Sequence, residues 1–266
     1  MSINSPIRVG ITGASGRMGR AVETAVVESA DTKVGALFLR AGHEQLGGKS
    51  MISECTYMTA ESERLVEKVD IVIDFSLPEN ALNMVKLCEN AGVPIVIGTT
   101  GFNKEQEAEL QVASQKIPLL FSANMSVGVN ATYALLRKAA ELLGTEWDIE
   151  LTEAHHKHKR DTPSGTALAM AKEIATTLNW DPDEAFNTDR ATEQCERKPH
   201  QIGFSVIRAG DIVGEHSVLF AGKHERITIG HKAHSRSVFA EGSVVAAKYL
   251  VGQGVGFYTM KEVLGL

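Results

Sequence analysis

Residues 7–39 constrain this chain more than any other stretch. An apolar run at 7–11 leads directly into Gly13-Ala14-Ser15-Gly16-Arg17-Met18-Gly19, followed by a helical pattern over 17–29 and a second apolar run at 33–39. Strand, glycine turn, helix and strand within about thirty residues is the size of a βαβ unit. Small residues in such a turn let the backbone approach a pyrophosphate, whose charge is met by the N-terminal end of the helix. The spacing is GxxGxxG; the strict GxGxxG pattern would need glycine where Ala14 stands. Tight structural turns also collect glycines, so the placement between a strand and a helix is what favours a dinucleotide.

The same grammar continues downstream. Strand patterns at 70–75, 93–97 and 117–121 alternate with helical patterns at 78–90 and 104–115; Pro78 opens the first of these helices and Gly92 stops it. Apolar strands separated by helices predict a parallel sheet covered on both faces. The pattern changes after Asn124. A helix at 129–143, a strand at 148–154 and a helix at 164–178 precede a polar stretch at 180–200 that reads as a long loop. Three strand-like runs at 203–208, 212–220 and 225–230, joined by short turns, then suggest antiparallel pairing, and a helix at 235–250 follows. The expected fold class is α/β: an N-terminal Rossmann-like parallel-sheet domain at 1–126, with 236–266 returning to it, plus a C-terminal α+β mixed-sheet domain at 127–235.

The second strand ends in Leu39 and Arg40. About twenty residues after the glycine turn, an NAD site commonly places an acid on the ribose 2′-hydroxyl; the nearest acid here is Glu44. Arg40, helped by Arg17, suits a 2′-phosphate instead, because a guanidinium matches phosphate geometry. As solvated surface arginines they would have no such role. NADPH is therefore expected to be accepted well. Gly98-Thr99-Thr100-Gly101 and Ser122-Ala123-Asn124-Met125 follow two further strands, where open α/β folds hold their ligands. They are either lining for a nicotinamide or ordinary connecting turns.

The densest chemistry lies at Glu153-Ala154-His155-His156-Lys157-His158-Lys159-Arg160-Asp161-Thr162-Pro163-Ser164-Gly165-Thr166. His156 and His158 are conceivable zinc ligands, but the neighbouring cations oppose a divalent ion and no compact carboxylate set completes the site, so no metal is expected. A solvated basic loop is the plainer alternative. The residues just beyond the cluster favour an anion site: Thr162 or Ser164 can cap the next helix, Pro163 suits its first turn, and Gly165 admits a ligand to the backbone. Crowding by cations would make a lysine there a better acid than usual. One loop thus offers both a seat for an anion and a proton.

Composition narrows the alternatives. A formal net charge of -6 argues against a general nucleic-acid binder, and the loop lacks interleaved aromatics. No run approaches a membrane span. Residues 1–7 carry no apolar signal segment, and Cys55, Cys88 and Cys195 show no paired spacing. A reducing, cytoplasmic setting with idle or buried thiols is expected.

The glycine turn with Arg17-Met18, the 98–101 and 123–128 segments, the 153–166 block and Arg208-Ala209-Gly210-Asp211-Ile212-Val213-Gly214-Glu215-His216 together resemble the 4-hydroxy-tetrahydrodipicolinate reductase (dihydrodipicolinate reductase) family of bacterial lysine and diaminopimelate synthesis. The resemblance covers nearly the whole chain. It implies NAD(P)H-dependent reduction of a cyclic dicarboxylate with loss of water, giving tetrahydrodipicolinate. It implies His155 as proton donor or acceptor and Lys159 as proton donor. His156, Gly165 and Thr166 would bind substrate carboxylates. Gly13, Ala14, Ser15, Gly16, Arg17, Met18, Gly98, Thr99, Thr100, Ser122, Ala123, Asn124 and Met125 would bind NADPH or NADH. It also implies a homotetramer assembled through the second domain. Leu39 departs from the Glu often found in NAD-using members, while Arg40 keeps the position linked to NADP. Of the rivals, short-chain reductases need Tyr-x-x-x-Lys, whereas Tyr133 is followed by Arg137 and Tyr249 by Gln253 at that spacing. Another NADP-dependent dehydrogenase of small anions, or a dinucleotide sensor without catalysis, would share the fold.

Overall fold

The computed structural model describes residues 5–59, 66, 68–189, 192 and 195–266. In chain order the elements are β1 (Ile7–Thr12), α1 (Arg17–Glu28), β2 (Thr32–Leu39), β3 (Tyr57–Thr59), β4 (Ile71–Asp74), α2 (Pro78–Ala91), β5 (Ile95–Ile97), α3 (Lys104–Ala113) and β6 (Pro118–Phe121). Then come α4 (Val127–Leu143), β7 (Asp148–His155), α5 (Gly165–Thr177), α6 (Pro182–Ala185), β8 (Phe186–Asn187), β9 (Ile202–Arg208), β10 (Gly214–Ala221) and β11 (Arg226–Ala233). Last are α7 (Ser237–Leu250), β12 (Gly256–Tyr258) and α8 (Met260–Leu264). The chain divides into two compact units, Met1–Val127 with Arg236–Leu266, and Gly128–Ser235.

In the first unit the strands form one parallel sheet in the order β12-β6-β5-β4-β1-β2-β3. Strand residues alternate between two cores, which is why their sequences are apolar without a polar face. Val9, Ile11, Ile73, Val96 and Leu120 meet Val22 and Val26 of α1 and Ala240, Val244 and Ala247 of α7. Val72, Ile95, Ile97 and Leu119 meet Met84, Val85 and Cys88 of α2 and Leu110 of α3. Each Val, Leu, Ile or Met among them, fully buried, contributes about 1.5–3 kcal/mol. Local signals set the helix limits: Pro78 stands in the first turn of α2, Gly92 ends it at φ 67°, and Asn103 with Gln106 forms a capping box on α3. The chain runs from β1 outward to β2 and returns to the other side of β1 as β4. Such a switch point opens a crevice at the carboxyl ends of the strands.

In the second unit the sheet order is β11-β10-β7-β9-β8. Helices α4 and α5 cover one face, with Leu136, Ala140, Met170 and Ile174 packed on Ile149, Leu151, Phe204, Val218 and Phe220. The sheet is mixed, as expected, but one pairing differs from the expectation of consecutive antiparallel strands. β10 and β11 are antiparallel, whereas β9 runs parallel to β7 and β7 separates it from β10. The short connection at 209–213 therefore steps across the end of β7, and the Ala209 N–H donates to His155 O (2.9 Å).

The expected long loop at 180–200 contains α6 and the two-residue β8, although residues 190, 191, 193 and 194 of that stretch lie outside the described residues, as do residues 1–4 of the segment read for a signal. Arg197 ties the loop back to β7 through Asp148 (2.8 Å), Glu150 (3.2 Å) and Ile149 O (3.0 Å). Among the described residues no helix is long and apolar enough to cross a membrane. The cysteines are all free: Cys88 is buried, Cys55 half-buried and Cys195 exposed.

Candidate functional site

The switch-point crevice of the first unit is a cleft of about 590 Å³. Thr12, Gly13, Ser15 and Gly16 line it after β1, Leu39 and Arg40 after β2, and Phe75, Ser76 and Leu77 after β4. The glycines are required by close contact as well as by conformation. Gly13 has φ 73°, and a Cβ there would lie 2.5 Å from Phe75 O. A Cβ on Gly19 would lie 2.2 Å from Gly13 O. No side chain caps the start of α1 at Gly16, so the helix presents its first N–H groups at the rim of the cleft. Such a cradle fits a pyrophosphate, and a dinucleotide is the group the residues accommodate.

Arg40 lines this cleft and is exposed; Leu39 beside it is 3% exposed. Among the described residues the lining contains no acid, and Lys86 and His43 add basic groups. His43 was not found from the sequence. Its Nδ1 accepts from the Gln45 N–H (3.2 Å) and its Nε2 lies 3.2 Å from Ser15 Oγ. Of the remaining turn residues, Ala14 is buried in the core, Met18 packs against that core, and Arg17 is exposed at the first residue of α1, outside the cleft lining.

The 98–101 and 122–125 segments follow β5 and β6 and do not line the cleft. Each has a structural duty. Gly98 makes room for the Phe75 ring, which a Cβ would meet at 2.3 Å. Thr99 is buried, accepts from the Ser76 N–H (2.7 Å) and donates to Asp74. Burial pushes the Asp74 carboxyl above the usual carboxylate range, against the hydrogen bonds from Thr99 and Ser76. Thr100 and Ala123 are exposed and Met125 is in the core. Ser122 Oγ donates to Asn124 O (2.8 Å), and Asn124 Oδ1 accepts from the Ser126 N–H (3.0 Å).

The second unit gathers its chemistry at the carboxyl end of β7. His155 is the last residue of that strand and is 8% exposed, so it does not sit in the loop beside Lys159 as expected. The Glu153 side chain is wholly buried. Its Oε1 accepts from Arg208 Nη2 (2.7 Å) and from the Ser164 N–H (3.0 Å); its Oε2 accepts from Arg208 Nη1 (2.8 Å) and lies 2.6 Å from His155 Nδ1. Burial alone would raise this carboxyl, but Arg208, His155 and Ser164 more than offset it and hold it below the ordinary range. Burial lowers His155 below an ordinary imidazole, although Glu153 opposes the shift. His216 on β10 stacks edge-on with His155 at 5.1 Å between centroids, and burial brings it down to about 4.

Past β7 the loop turns with the Lys159 N–H donating to His156 O (3.1 Å). Lys159 Nζ pairs with Asp161 at 2.8 Å, so the cluster is not the bare cationic patch its composition suggested. Hydrogen bonding from Lys159 holds the Asp161 carboxyl low. Of the two expected caps the structure uses Ser164, whose Oγ accepts from the Ala167 N–H and lies 3.0 Å from His216 Nε2. Pro163 precedes that cap and is outside the first turn where the sequence placed it. Gly165 opens α5 with nothing within 4 Å of where a Cβ would stand, and Thr166 follows it. His156 Nδ1 is buried without a hydrogen-bond partner. Among the described residues no group of three or more His, Cys, Asp or Glu side chains could hold a metal.

A switch-point cleft behind a glycine turn in one unit, and in the other a mixed sheet whose β7 leads through histidine and lysine into the start of α5, are the features of a two-unit oxidoreductase that uses a pyridine nucleotide. The family described as "Dihydrodipicolinate reductase, N-terminus" matches residues 7–125, and "Dihydrodipicolinate reductase, C-terminus" matches 128–264. A Burkholderia thailandensis protein named 4-hydroxy-tetrahydrodipicolinate reductase is 48% identical over 267 residues, covering 98% of this chain and 99% of its own. A Bordetella parapertussis protein of the same name is 44% identical over 272 residues, covering 100% of both. Among solved structures, the dipicolinate-bound dihydrodipicolinate reductase of Paenisporosarcina sp. TG-14 matches with a TM-score of 0.76 at 25% identity, over 96% of this chain and 97% of that one. A probable dehydrogenase of Thermotoga maritima, at TM-score 0.60 and 13% identity over 97% of this chain and 92% of its own, shares the fold alone. The chain belongs to the dihydrodipicolinate reductase family, whose curated members carry the name 4-hydroxy-tetrahydrodipicolinate reductase.

Proposed function

We propose that this chain reduces 4-hydroxy-tetrahydrodipicolinate to tetrahydrodipicolinate, taking NADPH in preference to NADH. One hydride and one proton enter the substrate and one water leaves. The observation that carries the reading is the 153–166 block, in which His155 ends β7, Lys159 follows in the loop and Gly165, uncrowded where a Cβ would stand, starts α5. The first unit would bind the dinucleotide, with Gly13, Ser15 and Gly16 against the pyrophosphate and the 98–100 and 122–125 segments near the nicotinamide. When bound, the nucleotide supplies the hydride. The second unit would hold the substrate. Gly165 and Thr166 at the start of α5 suit one carboxylate, and the unpartnered Nδ1 of His156 suits a second polar contact. Lys159 Nζ would deliver the proton, with His155 acting electrostatically or as a relay.

The test is direct. Mixed with freshly made 4-hydroxy-tetrahydrodipicolinate, the protein oxidises NADPH rapidly and NADH more slowly, read by absorbance. Absence of turnover with either, in folded protein that binds the nucleotide, would leave the sensor reading in its place. Assembly as a cytoplasmic homotetramer belongs to the same proposal. Exposed Ile207 on β9 and Ile227 on β11 support assembly through the second sheet, and sedimentation equilibrium should return four copies.

The NADPH preference rests on Arg40, which lines the cleft where Leu39 removes any claim on a ribose hydroxyl. Losing a hydrogen bond to a charged group costs about 1.5–3 kcal/mol. Arg40→Ala should therefore raise the KM for NADPH about tenfold or more while moving that for NADH little. Equal changes in both would remove Arg40 from the specificity argument.

A further inference from the structure

We infer that the pair of buried Glu153 and half-buried Arg208 is the positioning device of the reaction loop, holding His155 in one tautomer and clamping the loop that carries Lys159 at its start, its middle and its end. The inference rests on the reductase reading of that loop. Glu153 meets His155 at the loop's start and accepts from the Ser164 N–H at its end, where α5 begins. Arg208 Nη2 donates in addition to Asp161 O (2.8 Å), the residue whose carboxylate holds Lys159. Two side chains thus fix three points of one short turn of chain.

The tautomer follows from charge. Arg208 grips Glu153 with two nitrogens, 2.7 and 2.8 Å from its oxygens, so the carboxylate is already neutralised. The contact to His155 is then satisfied by a neutral ring with its proton on Nδ1, donated to Glu153 Oε2. Nε2 is left as the acceptor nitrogen. Gly214 stands beside it, where a Cβ would lie 3.1 Å from Nε2, so at that position the lack of a side chain leaves the atom room. An ion pair that takes a carboxylate out of water, as this one does with Glu153, is a poor stabiliser compared with packed apolar groups. Setting the orientation and protonation of a histidine is what such a pair does better.

Groups facing His155 are Glu153 on its own strand, Lys159 in the loop, Arg208 on β9 and His216 on β10. Burial lowers its titration, Glu153 raises it, and Lys159 and Arg208 lower it again. Removing the two members of the pair should consequently move it in opposite directions. A purely structural role would give no such signature.

The experiment is a proton–carbon NMR titration of His155 in the full chain without substrate, assigned with His155→Asn. Glu153→Gln should shift the midpoint down and Arg208→Gln should shift it up. Each should also lower kcat by about tenfold or more, since orienting a histidine through a carboxylate governs its tautomer, while the KM for NADPH stays unchanged. Arg208→Lys should return the midpoint toward the unsubstituted value. If Glu153→Gln does not fold, the upward shift in Arg208→Gln and its reversal by lysine carry the test. Midpoints that do not move, or that move in the same direction, overturn the inference. Failure of the reductase reading is distinguishable, because it appears as absent turnover in the unsubstituted protein and leaves the titration readable.

Discussion

Lys159→Ala should lower kcat by a factor of about 10² to 10⁴, the usual contribution of a positioned proton donor, in protein that remains folded and binds NADPH as before. The geometry makes the loss specific. Lys159 is only 22% exposed at its side chain and its Nζ is held 2.8 Å from Asp161, at the end of the strand that carries His155. Lys157 and Arg160 are exposed and offer no equivalent position. Lys159→Arg separates charge from proton delivery. It keeps the cation, but a guanidinium does not give up its proton in a protein, so it should be nearly as poor as alanine. Stopped-flow or steady-state NADPH oxidation reads kcat, fluorescence titration reads nucleotide affinity, and thermal denaturation reports folding. Unchanged kcat in Lys159→Ala would transfer the proton to another group. A rise confined to the substrate KM, with kcat retained, would make Lys159 a carboxylate-binding residue.

The parallel unit was legible because its strands are buried on both faces. Val72 and Ile73, or Leu119 and Leu120, point into opposite cores, so the sequence reads as an unbroken apolar run with clear helix signals between. Three-residue edge strands carry no such signal: β3 and β12 exist because a neighbour pairs with them. The parallel pairing of β9 was hidden for another reason. A short turn at 209–213 looks the same whether it joins two neighbours or steps over a strand, and only the register of β7 with both β9 and β10 distinguishes the cases.

The site divides along the same line. His155 and Lys159 stand out because unlike charges and rings crowd one short stretch. The roles of Glu153, Arg208 and His216 depend on partners far away in sequence. Arg208 lies 55 residues from Glu153, and His216 lies 52 from Ser164. His43 reaches Ser15 across 28. Glu153 had one visible clue, an acid near the end of a strand otherwise heading into the core, at 1% exposure in the folded chain. A buried carboxylate there demands partners, and an arginine at the end of a neighbouring strand is the natural one.

Gly19→Ala tests the other half of the reading, and its effect should reach both stability and nucleotide binding. Alanine is the better helix former by about 1 kcal/mol, and Gly19 lies within α1, so propensity alone predicts a gain. Contact predicts the reverse. The added Cβ would stand 2.2 Å from Gly13 O and 2.7 Å from Ala14 Cα, both of them backbone atoms that cannot rotate away. Relief requires α1 to retreat from the turn, and overpacking of this kind typically costs about 1–3 kcal/mol. The same retreat withdraws the uncapped start of α1 from the cleft that Gly13 and Gly16 line. Gly19→Ala should therefore lower the melting temperature by several degrees and raise the Kd for both NADPH and NADH about tenfold or more, unlike Arg40→Ala, which should spare NADH. A stabilised protein with unchanged affinity would show that the turn tolerates the methyl group. The close approach of helix to strand would then not be what shapes the nucleotide site.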